Sequence, residues 1–152
     1  MEQQAFEQII EKAVNRAIDA YSENERKKET KKAYNMTFKY LKAYNDMKRS
    51  LENETEAEGS SQGEFIQRMD DGKKETAVII AIIDKAVREL EEEEKEKGES
   101  YKMEVFKMYF YEKKTYEQIT EYIKVGDSTP RRWVSQMVGK IAVKLFGVEG
   151  LE

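Results

Sequence analysis

The chain reads as an all-α protein, an N-terminal helical region followed by a C-terminal helix-turn-helix. Three observations carry that reading. Apolar residues recur every three or four positions over long stretches, the period of a helix with one buried face. Only one proline and eight glycines interrupt 152 residues, so there are few points at which a helix must stop. Hydrophobic residues make up 39% of the chain and charged residues 38%, which supplies a modest core and a highly charged surface rather than the alternation of strands. The length suits one domain or two small helical ones: residues 1–98 as a helical region for oligomerisation or partner binding, and 99–152 as the helix-turn-helix domain.

Taken in order, residues 3–21 place Phe6, Ile9, Ile10, Ala13, Val14, Ala17, Ile18 and Tyr21 at helical intervals. Such a stripe needs cover, from the body of the protein or from a second copy, and the acid-rich polar face argues against a membrane-surface helix. Residues 26–51 predict a second helix, with Tyr34, Phe38 and Leu41 on one stripe and Met36, Tyr40, Met47 and Leu51 widening it. Its Lys27, Lys28, Lys31 and Lys32 are either solvated charges or accessory phosphate contacts. Residues 52–72 are acidic, polar and Gly/Ser-bearing, which predicts a flexible linker with a small apolar island at Phe65, Ile66 and Met69.

Residues 73–97 predict a helix whose first half, the dense apolar run Ala77 to Ile83, is expected to be the most buried element. Its Glu91 to Glu94 run does not make a metal cluster, because consecutive helical positions point around the axis; a solvated helix end is expected. Residues 100–111 predict a further helix with Ser100 as cap and Tyr101, Val105, Phe106, Tyr109 and Phe110 facing inward.

The stretch Thr115 to Phe146 is the part the rest of the chain presents. Thr115 and Gln118 have capping-box spacing, and Tyr116, Ile119, Tyr122 and Ile123 follow at helical intervals. Lys124, Gly126 and Asp127 break that helix, with Gly126 expected at positive φ and Val125 as the apolar plug. Thr129 is expected to cap the next helix, placing Pro130 at the first helical position. Trp133, Met137, Ile141 and Leu145 form its buried stripe, Val134, Val138 and Ala142 lie beside it, and Gly147 ends it.

Residue types on the other flank suit DNA. Ser128, Thr129, Arg131, Arg132, Ser135 and Gln136 are candidates for base reading, since Arg pairs with guanine, Gln with adenine and Ser or Thr with either base or phosphate. Lys113, Lys114, Lys124 and Lys140 are candidates for phosphate contacts. The net charge of −4 is unevenly spread: residues 26–49 hold nine positive and two negative charges, and residues 124–146 hold five and one. Local patches, more than the sum, govern attraction to phosphate.

Other chemistries start poorly. The chain has no cysteine and no histidine, which removes disulfides, thiolate metal sites, the commonest general base and the commonest zinc ligand. No nucleophile and base pair, glycine-rich phosphate loop or cofactor motif stands out, so neither an enzyme nor a cofactor protein is expected. No apolar run is long enough to span a membrane, and the first residues lack the features of a signal peptide; a bacterial cytoplasm is the expected location.

Thr115 to Ile141 resembles the promoter-reading region-four domain of bacterial sigma factors. The shared pattern is Tyr116-Glu117-Gln118-Ile119-Thr120-Glu121, then Val125, then Arg131-Arg132-Trp133. More closely, Asp127-Ser128-Thr129-Pro130-Arg131-Arg132 resembles the opening of the recognition helix in phage late-transcription regulators of the RinA/ArpU type. Two positions depart from the sigma pattern: Pro130 stands where an ordinary residue is usual, and Trp133 where a smaller aliphatic one is. The resemblance covers about thirty residues closely and the N-terminal half only in architecture. It implies a sequence-specific regulator of phage or prophage late genes that binds double-stranded DNA and acts with host RNA polymerase; the two wide apolar faces of the chain and the weak grip of one small module at physiological salt predict a homodimer. Two other classes fit the same residues: a DNA-packaging protein like a small terminase subunit, and a helical polymerase- or sigma-binding module that reads no DNA.

Overall fold

In the computed structural model, residues 2–58 and 71–147 are described. They form five helices: α1 (Glu2–Glu58), α2 (Asp71–Glu96), α3 (Ser100–Phe110), α4 (Tyr116–Ile123) and α5 (Thr129–Phe146), and no strand occurs among the described residues. None of these helices is long and apolar enough to cross a membrane. The island at Phe65, Ile66 and Met69 and the tail beyond Gly147 lie outside the described residues.

The two helices expected in the first fifty residues are one helix of 57 residues, about 85 Å long at 1.5 Å per residue. No glycine or proline stands between Tyr21 and Arg26, and ion pairs bridge the expected break, Glu23 with Arg26 at 2.7 Å and Glu25 with Lys28 at 3.6 Å. Helix also continues to Glu58 and begins again at Asp71, so residues 52–58 and 71–72 of the expected linker are helical.

The halves of α1 differ in what covers them. From Ala33 onward it seats Leu41 and Tyr44 in a core made with Ile83, Val87 and Leu90 of α2, Phe106 and Phe110 of α3, Ile119 of α4, and Met137, Val138 and Ile141 of α5. That core joins residues from both sides of position 98. Before residue 25 every described residue is exposed, and the apolar stripe stands in solvent, with Phe6 64%, Ile9 65% and Tyr21 68% accessible. Among the described residues the stripe therefore has no cover.

Burial corrects the sequence reading elsewhere. The first half of α2 is its less buried half: within the run Ala77 to Ile83, Ile80 and Ile83 are buried but Val78 and Ile82 are 56% and 49% accessible, while Ala86, Val87, Leu90 and Glu94 are buried in the second half. That stretch is covered on one side only, so an all-round apolar run need not be an all-round buried one. Tyr101 is 43% accessible yet lies against Trp133, ring centroids 4.9 Å apart. Tyr122 points outward at 69% accessible, because α4 has only eight residues and fully buries only Ile119.

Local sequence sets the helix ends. Gly98, at φ 73°, closes α2 with the paired bonds of a Schellman motif, Gly98 N–H to the Lys95 carbonyl at 3.0 Å and Glu99 N–H to the Glu94 carbonyl at 2.8 Å. Thr115 and Gln118 form the capping box of α4, with reciprocal bonds of 2.9 and 3.1 Å. The left-handed residue that ends α4 is Lys124 at φ 54°, not Gly126.

Phe110→Ala, at the centre of the shared core, is expected to lower unfolding free energy by about 3–5 kcal/mol. Lys85→Ala, at an exposed position of α2, should change it by less than about 0.5 kcal/mol. Urea denaturation followed by circular dichroism checks both.

Candidate nucleic-acid interface

The turn between α4 and α5 sets which side chains α5 presents. Ser128 occupies the N-cap with its side chain unbonded, Thr129 is the first helical residue and Pro130 the second, so α5 begins one residue earlier than Thr129 capping would give. The Gly126 carbonyl accepts from Thr129 N–H at 3.0 Å, and the Ser128 carbonyl accepts from Arg132 N–H at 3.1 Å. Pro130 sits buried at a position where its missing N–H costs no helical bond.

From that start one side of α5 buries Val134, Met137, Val138, Ile141 and Ala142. Arg131, Arg132, Ser135 and Gln136 are exposed on its first two turns, Ser128 is exposed before them, and Thr129 is half-buried. Arg132 carries no ion pair among the described residues. Ser135 is engaged by α1: its Oγ lies 3.1 Å from the Tyr34 hydroxyl. Gln136 borders a depression shared with Glu93, Lys97, Lys102 and Lys140.

The phosphate candidates separate into different roles. Lys124 is exposed in the turn. Lys113 donates to the Lys42 carbonyl at 2.7 Å, and Lys114 lies 3.6 Å from Glu112 with its ammonium over the Tyr122 ring. Lys140 is committed to the fold: its ammonium donates to Glu94 Oε1 at 2.5 Å, and that carboxylate is fully buried. The second oxygen, Oε2, has no hydrogen-bond partner among the described residues. The expectation of a solvated end at Glu91 to Glu94 thus fails at Glu94, which faces α5. On α1, Lys27, Lys28, Lys31 and Lys32 are all exposed, and among the described residues Lys28 alone of the four is ion-paired. Lys27 and Lys31 fall on the Tyr34 side of the helix, two turns and one turn before it.

A ladder of rings and cations that no local pattern announced runs beside this face. Tyr109 of α3 and Tyr116 of α4 are stacked in parallel, centroids 4.4 Å apart and planes 8° apart. Lys42 of α1 lies 4.1 Å from the Tyr109 centroid, and Arg131 of α5 lies 4.8 Å from that of Tyr116. Burial raises the Tyr109 phenol, but hydrogen bonding to Lys42 and Tyr116 and the charges of Lys42 and Arg131 bring it below the ordinary tyrosine value. Burial, with Tyr109 beside it, pushes Tyr116 up. Spacing had marked Tyr109 and Tyr116 as core and left Lys42 unremarked.

No protein-family model, no curated protein and no solved structure matches this chain. The arrangement of side chains is therefore what bears on function. No group of three or more acidic residues able to hold a metal ion occurs among the described residues.

Burial pulls the Lys140 ammonium down, but the hydrogen bond and charge of Glu94 outweigh it and hold its pKa above the lysine value of 10.5. A group raised in this way stabilises the fold fully below its unfolded pKa and loses that contribution as pH rises through the folded value. Lys140→Met is expected to cost about 2–3 kcal/mol at neutral pH by stranding Glu94. In denaturation series, the wild-type advantage should shrink as pH passes 10.5, while Lys124→Ala should stay within about 0.5 kcal/mol of wild type.

Proposed function

We propose that this chain is a sequence-specific, DNA-binding transcriptional regulator in which α4 and α5 act as a helix-turn-helix and α5 enters the major groove. The observation that supports it is the exposed side of the first two turns of α5, where Arg131, Arg132 and Gln136 stand opposite a fully buried face. Those residue types at the start of such a helix suit hydrogen bonding to base edges. Lys113, Lys114 and Lys124 supply phosphate contacts at the rim, and the basic stretch of α1 extends them. Lys140, held by Glu94, is left out of the interface. By its resemblance to phage regulators of the RinA/ArpU type, the protein activates late phage or prophage genes with host RNA polymerase in a bacterial cytoplasm.

A single module of this size grips DNA weakly at physiological salt, and the uncovered half of α1 offers a means of pairing. Its stripe is self-complementary when two copies run antiparallel. Phe6 then meets Tyr21, Ile9 meets Ile18, Ile10 meets Ala17, and Ala13 meets Val14, while Glu11 falls opposite Arg16. The same projecting stripe supports a second reading, a DNA-packaging protein assembled into a ring.

Selection of bound duplexes from a random pool tests the first reading. Wild type is expected to enrich a motif that Arg131→Ala/Arg132→Ala loses; no enrichment at low or moderate salt would reject DNA reading and favour a protein partner. Sedimentation tests the pairing: wild type is expected as a dimer and Ile10→Glu/Ile18→Glu as a folded monomer. A ring of more than two copies would move the assignment to packaging.

A further inference from the structure

The two adjacent arginines of α5 have different surroundings. Arg132 is exposed with no ion pair among the described residues, whereas the Arg131 guanidinium lies 4.8 Å from the Tyr116 ring centroid. Tyr116 is stacked on Tyr109, whose own ring lies 4.1 Å from Lys42. Each ring gives one face to the other, so the cations take the outer faces and bracket the pair. With spacings of 4.1, 4.4 and 4.8 Å along it, the ladder is too long for one phosphate to touch both cations.

Four helices contribute to this ladder, which makes it stiffer than a surface lysine on a flexible stem. Lys42 comes from α1, Tyr109 from α3, Tyr116 from α4 and Arg131 from α5. A second link between α1 and α5, the Tyr34 to Ser135 hydrogen bond at 3.1 Å, lies next to it. Lys113 donates to the Lys42 carbonyl and adds a third positive charge at one end. Glu117, Glu121 and Asp127 share a groove with Arg131, but none is ion-paired with it among the described residues. Burial raises the Tyr109 phenol, and the hydrogen bonds to Lys42 and Tyr116 together with the charges of Lys42 and Arg131 outweigh it and hold it below its ordinary value.

We propose that Lys42 and Arg131, bracketing the Tyr109 and Tyr116 rings, hold two phosphates of one DNA strand, and that Arg132 alone of the adjacent arginines reads a base. This rests on the DNA-binding reading and divides its labour. Phosphate contacts set register without reading sequence, whereas a bidentate arginine discriminates one base. α1 is then part of the interface, because it supplies one of the two cations.

The test uses the full chain and measures affinity for a labelled duplex, selected and scrambled, across a salt series. Lys42→Gln and Arg131→Gln are each expected to weaken both duplexes equally, and each to reduce the slope of log K against log salt by about 0.9. Tyr109→Phe, which keeps the ring stack, reports on folding by circular dichroism and is expected to leave the enriched motif unchanged. Arg132→Ala is expected to relax preference at one base position, with the slope kept within about one contact. An unchanged slope in Lys42→Gln, or a lost base preference in Arg131→Gln, overturns the proposal. A parallel arm titrates inorganic phosphate and follows amide shifts near Arg131. Shifts abolished by Arg131→Gln, with no duplex bound, would keep the anion chemistry and reject DNA as its source. Neither duplex binding nor shifts would reject both.

Discussion

The structure depends on one helix serving two environments. From Ala33 to Tyr44, α1 closes the core formed by the four later helices, with Leu41 fully buried and Tyr44 hydrogen-bonded to Asp84. Remove that segment and Phe110, Met137 and Ile141 lose one wall of their core. The cost of ordering a short C-terminal bundle is offset only when enough apolar area is withdrawn from water, and four helices of modest length bury little by themselves. α1 supplies the missing area. Because it runs on without a break, the same closure aims its uncovered half away from the body.

A buried ion pair fixes how α2 meets α5. Glu94 lies in the last turn of α2, where the turn at Gly98 also uses its backbone carbonyl, and its side chain reaches Lys140. Burying a carboxylate is expensive unless a cation and hydrogen bonds compensate for lost hydration. Lys140 and the more distant Lys97, at 3.9 Å, provide that compensation. Lys144 repeats the arrangement near the surface with Glu93 at 2.5 Å and Glu89 at 3.5 Å. The acidic end of α2 therefore neutralises the back of α5 and leaves uncompensated positive charge at its start. A net charge of −4 and a locally basic face are compatible for that reason.

The aromatic ladder and the capping box act on the same element from different sides. Thr115 and Gln118 set where α4 starts, which places Tyr116 where it stacks on Tyr109. Arg131 rests on the outer face of Tyr116 and leaves Arg132 as the freer of the two. A side chain fixed in this way loses little rotamer freedom on meeting an anion, whereas a free one must be ordered. The chemistry proposed for the face thus follows from packing behind it.

The sequence by itself determined the all-helical class, the capping box at Thr115, the stop at Gly147 and the apolar side of α5. Each depends on residues within a turn or two of one another, where periodicity and residue type carry the information. It also showed the absence of cysteine and histidine chemistry. Only the tertiary structure decided which faces are covered, that α1 is unbroken, that Val78 and Ile82 are exposed, and that Lys140 belongs to Glu94, 46 residues away. It alone brought Lys42, Tyr109, Tyr116 and Arg131 together. Contacts between distant positions leave no local pattern, because a lysine that solvates, pairs or stacks is written the same way in the chain.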